Sequence, residues 1–69
     1  MYQITMEVPE ETIVNGRSKV ITFKSEPIND VDVAWRVFDK ARDTASALNM
    51  KNVYVNMMQN GTLVAWYRK

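Results

Sequence analysis

Two carboxylate pairs, Glu10 with Glu11 and Asp39 with Asp43, are the side chains of this 69-residue sequence best spaced for general acid–base chemistry. They have little to work with. The sequence contains no cysteine and no histidine, which removes a thiol nucleophile, an imidazole base and the zinc sites built on those ligands. Asp39 and Asp43 are four residues apart and would share one side of a helix, but Arg36, Lys40 and Arg42 flank them, as on an ordinary solvated face. No run has the spacing of a calcium-binding loop. The expectation is a protein that is not an enzyme, with no cofactor and no metal.

Binding chemistry is the other possibility. Lys51, Arg68 and Lys69 accompany Trp66 and Tyr67, and basic groups interleaved with rings are how single-stranded nucleic acid is held. Tyr54 and Tyr67 could serve as the stacking platform. Against this, nine Lys and Arg face eight Asp and Glu, and a net charge of +1 supports few phosphate contacts. The same balance gives neither the basic field of a duplex-DNA binder nor the acidic field of a DNA mimic.

The elements that position these residues follow from periodicity and punctuation. Tyr2, Ile4, Met6 and Val8 alternate with polar residues, the pattern of a strand with one buried face, and Pro9 ends regular pairing. Asn15-Gly16 suits a two-residue turn, which pairs Val8 with Phe23 and Glu7 with Lys24 and makes residues 19–24 the second strand. Residues 10–14 fit this register less well and read as a bulged tip. Asn29 is the predicted N-cap of a helix, with Asp30 and Asp32 in its first turn and Ile28 with Val33 as a hydrophobic staple. Ala34, Val37, Phe38, Ala41, Ala45 and Leu48 form one apolar stripe, and Asn49 is the predicted left-handed stop. Residues 52–58 and 62–68 are strands joined by Asn60-Gly61. Asn60-Gly61-Thr62 also matches a glycosylation sequon, but a tight turn is the preferred reading. An unbroken register pairs Met57 with Val64, Val55 with Trp66 and Val53 with Arg68 on one face. That face is expected to lie beneath the helix, because the other would bury the Asn56 amide. Trp66 is then in the core, and Tyr54 is outside it.

Two hairpins flanking one helix, with an Ala34-Trp35-Arg36-Val37-Phe38 helix segment, resemble the β-grasp immunoglobulin-binding domains of streptococcal protein G. The resemblance implies an α+β fold, ββαββ, with a four-stranded mixed sheet in the order 2-1-4-3 and one amphipathic helix on one face. The first and last strands would be parallel neighbours at the centre, a place that suits the continuous Leu63-Val64-Ala65-Trp66 run. Lys19 and Lys24, and Lys51, Asn52 and Asn56, would then mark strands 2 and 3 as charged or polar edges. The order 1-2-3-4 is the alternative. Immunoglobulin binding is not implied, because fold does not transmit function.

At 69 residues the chain has room for one domain and one core. The alternating, Glu7-containing start is neither a signal-peptide core nor a membrane span, so a cytoplasmic protein with no membrane partner is expected. A sheet covered by one helix leaves one face open, and Tyr54, Met58, Leu63 and Tyr67, with Ala65, are predicted to form an apolar patch there. Trp35 flanks the helix stripe, where it either seals the core margin or anchors a contact. The expected function is a small protein-binding module that associates with a larger macromolecule or forms a homodimer. In type such a chain resembles the accessory proteins of bacteriophages, which often modulate a host protein. The alternative is the single-stranded nucleic-acid binder based on Lys51, Arg68 and Lys69.

Overall fold

Alternation at Tyr2, Ile4, Met6 and Val8 produces the first strand, β1 (Tyr2–Pro9), in a computed structural model that describes residues 1–9 and 20–69. The Asn15-Gly16 turn, the tip at residues 10–14, the Glu10–Glu11 pair and Lys19 lie outside the described residues. The second strand, β2 (Val20–Lys24), runs antiparallel to β1 with Val8 opposite Ile21 and Met6 opposite Phe23. This register is two residues away from the expected one. A slip of two preserves the faces, so apolar side chains still meet, while Glu7 lies opposite Thr22 and Lys24 opposite Thr5.

The chain after β2 stays beside β1. The Ser25 N–H donates to the Ile4 carbonyl at 2.8 Å, and the Ser25 hydroxyl accepts from the Ile4 N–H at 2.9 Å. Ile28 and Tyr2 exchange two backbone bonds of 2.7 and 2.8 Å. Ile28 is therefore fixed as a bridge against β1 and packs on the core. The N-cap falls one residue later than expected, at Asp30, whose carboxylate accepts from the Asp32 and Val33 N–H groups at 2.8 and 3.3 Å. The helix, α1 (Val31–Ala47), buries Ala34, Phe38 and Ala45, and packs Val37 and Ala41 at the margin, with Leu48 just beyond its end. It stops at an extended Leu48. The left-handed residue is Asn52 (φ 61°), not Asn49.

The second hairpin comprises β3 (Tyr54–Gln59) and β4 (Thr62–Arg68), joined by Asn60 and Gly61 at φ 50° and 83°. Two positive φ angles are what a two-residue primed turn requires. The sheet order is β2-β1-β3-β4, and every neighbour is antiparallel. The element order ββαββ and the helix on one face agree with expectation. The order 2-1-4-3, its alternative 1-2-3-4 and a mixed sheet do not. Burial accounts for the difference: Val53, Val55 and Met57 are fully enclosed, and α1 lies across β1 and β3. β3 is thus central, with Lys51 and Asn52 ahead of it and Asn56 on its open side, and β4 is an edge.

The pairing of β3 with β4 shifts between Met57 and Met58. Met58 lies opposite Leu63, as expected, but Met57 lies opposite Ala65, so Val64 is an extra residue, a β-bulge. Beyond it, Asn56 faces Trp66, Val55 faces Tyr67 and Tyr54 faces Arg68. Trp66 therefore leaves the expected core position and is 62% exposed, while Ala65 and Tyr67 pack against the core. In the unbroken register Arg68 lies opposite Val53. With the added residue Lys69 takes that place, its backbone N–H donating to the Val53 carbonyl and its ammonium to carbonyls at the end of α1, while Arg68 turns to the open face. Consequently Met57→Ala should cost about 2–5 kcal/mol, and Trp66→Ala about 1 kcal/mol or less. Denaturant melts giving the opposite ranking would put the bulge in the wrong place.

Candidate functional site

The sheet face away from α1 is arranged in cross-strand rows, because side chains of paired residues stand side by side. One row is Gln3, Met58 and Leu63; the next is Lys24, Thr5, Asn56 and Trp66; the third is Thr22, Glu7, Tyr54 and Arg68. The β2–β1 half of this face is polar apart from exposed Val20 at its end. The β3–β4 half carries Met58, Leu63, Tyr54 and Trp66, with Leu63 42% exposed. A shallow groove of about 350 Å³ continues from Met58 at the hairpin end, lined by Tyr2, Gln3, Pro27, Asn60 and Gly61 among others.

Of the predicted contact residues, Tyr54, Met58 and Leu63 lie together on this face, while Tyr67 is turned to the core side by the bulge. Trp66 takes the place predicted for Tyr67. No residue of β4 marks this exchange in the sequence, because Val64 is an ordinary strand residue. Trp35 is on the helix, 43% exposed, with its ring edge-on to Phe38 at 5.7 Å. Val37 and Ala41 line a groove against Phe23 of β2. The opposite flank of α1, with Trp35, is therefore on the β4 side.

The basic residues are placed differently from one another. Arg68 sits over the Tyr54 ring, 5.1 Å from its centre, and donates to the Asn56 side-chain oxygen at 2.9 Å. Lys69 reaches the end of α1, where its ammonium donates to the carbonyls of Ser46 at 2.8 Å, Ala45 at 3.4 Å and Leu48. The last turn of α1 has no basic residue of its own, so Lys69 supplies the cation that the negative end of the helix dipole favours. Lys51 is exposed, three residues ahead of Tyr54. Asp39 is half-buried and Asp43 exposed, and they share Arg42, at 3.4 and 3.8 Å. Among the described residues there is no cluster of three carboxylates able to hold a metal, and no helix is long and apolar enough to cross a membrane.

Compared with known proteins, the chain matches no family model, no curated protein and no solved structure. The capping role makes a direct demand on Lys69. Lys69→Met should lower stability by about 0.3–1 kcal/mol and speed amide exchange in the last turn of α1. Unchanged stability and exchange would remove the role.

Proposed function

We propose that the chain is a small, non-enzymatic binding module of the cytoplasm that holds another protein against its open sheet face. A single observation carries this reading: the Val64 bulge places Trp66, the most exposed ring on the sheet, beside Leu63, Met58 and Tyr54. Rigid aromatic side chains give large contact area at low entropic cost, and Trp and Tyr dominate interface hot spots. The polar β1–β2 half supplies a rim, and the groove beside Met58 can receive an anchoring side chain.

The test is capture on immobilised chain from the native host, followed by affinity measurement with the purified protein so retained. Trp66→Ala should weaken binding about 30-fold or more, the roughly 2 kcal/mol of a hot-spot residue. The pair Tyr54→Ser with Met58→Lys should abolish it, and Asp43→Ala on the far side of the helix should leave it intact. Equal capture by all four chains would refute the reading.

One observation favours a second reading, single-stranded nucleic acid: Arg68 stacked over Tyr54 near exposed Trp66. In that case oligonucleotide affinity should fall with salt at a slope of about 0.7 per phosphate contacted, and Trp66→Ala should remove it. Absence of binding at low salt ends that reading.

A further inference from the structure

The exposed margin of β4 differs chemically from that of β2. Lys69 donates its N–H to the Val53 carbonyl at 3.0 Å, so alternate residues of β4, Tyr67 and Ala65, direct their backbone groups to β3. Trp66 and Arg68 direct theirs away from the sheet. By the same alternation, counted from the Ser25 bond to Ile4, Thr22 and Lys24 face outward on β2. Each edge strand has one charged residue, its last, Lys24 on β2 and Arg68 on β4, and charge blunts an edge. β4 draws its charge back over the Tyr54 ring of β3. It also adjoins the apolar half of the open face.

We propose that β4 pairs with β4 of a second copy of this chain, antiparallel about a two-fold axis, joining the two sheets into one. Two features commit the edge to its own copy. First, the outward N–H and C=O groups of Trp66 and Arg68 are mutually satisfied when Trp66 of one copy lies opposite Arg68 of the other. This register also sets each guanidinium against an exposed ring, and not against a second cation. Second, the two-fold axis sets the apolar halves of both open faces side by side and leaves the polar halves outside. The bulge at Val64 bends the strand and confines pairing to Ala65 and beyond. So short a contact falls below the roughly 800 Å² per partner of a stable complex, so the dimer is weak and exchanges readily. The inference stands on the edge and holds whether or not the open face takes a protein partner.

Sedimentation equilibrium on the full chain, made by chemical synthesis, tests it. The apparent mass should rise from that of one copy to that of two between micromolar and near-millimolar concentration; a single-copy mass throughout overturns the proposal. N-methylation of the Trp66 backbone nitrogen removes an outward N–H and keeps the side chain. Because the symmetry uses that group twice, the dissociation constant should rise about tenfold or more. N-methylation of Thr22, on the other edge, should change nothing. An unaffected dimer in the first case, or a lost one in the second, overturns the assignment to β4. The Tyr54→Ser, Met58→Lys chain should still dimerise although it loses the protein partner; if it becomes monomeric, the copies meet through the face and the edge proposal is wrong. Circular dichroism should show both methylated chains folded. If the Trp66 chain unfolds, N-methyl-Arg68 carries the same expectation, and unfolding of both overturns the outward orientation on which the pairing rests.

Discussion

A helix with its side chains is about 10 Å across, and neighbouring strands are about 4.8 Å apart. One helix therefore covers two strands well and four poorly. Here the two are β1 and β3, which hold Ile4, Val55 and Met57, with Val53 just ahead of β3, against Ala34, Phe38 and Ala45 of α1. The remaining strands are left at the margins. β2 is exposed along its whole length, Phe23 at 54% even though its side chain faces the helix side. The apolar content that the core cannot enclose is therefore displayed, and where it is displayed follows from which strands the helix reaches.

The bulge decides which side chains the second hairpin displays. Beneath the helix margin lie Ala65 and Tyr67, and beyond them Lys69 reaches the carbonyls at the end of α1. Inserting Val64 exchanges the faces of the rest of β4. Arg68 gains the Tyr54 ring and the Asn56 oxygen, and Trp66 is carried outward by the same half-turn of the pleat. One added residue thus sets the chemistry of the open face.

Element type was legible from sequence because each element carries its own local signal: period two in β1, a 3.6-residue stripe in α1, Asn-Gly between β3 and β4. The inner face of β3 was legible too, since Asn56 could not go under the helix. Strand order was not, because it depends on which strands a helix covers, and an apolar run such as Leu63-Val64-Ala65-Trp66 suits a buried centre and a sticky edge equally. Registers were recoverable only to the nearest plausible turn. The β1–β2 slip kept its faces because it was two residues, whereas the single-residue bulge moved Trp66 and Tyr67 to opposite sides. For the candidate site, Tyr54, Met58 and Leu63 could be read before the bulge was known, and Trp66 could not.

The two cations at the end of β4 are both engaged within the chain, Arg68 over Tyr54 and Lys69 on the terminal carbonyls of α1. Charge on the open face is otherwise carried by Glu7 and Lys24, on the polar half and of opposite sign. The apolar half therefore projects no strong field. A partner approaching it gains little electrostatic steering, so its association rate should lie in the ordinary range of about 10⁵–10⁷ M⁻¹s⁻¹ and change little with salt. Affinity on such a surface comes from the fit around Trp66 and Met58 and is expressed in how slowly the complex separates. Salt sensitivity is then a diagnostic of mode: a protein held by the apolar half leaves at nearly the same rate in dilute and concentrated salt, and a nucleic acid, which must recruit Arg68 from its place over Tyr54, does not.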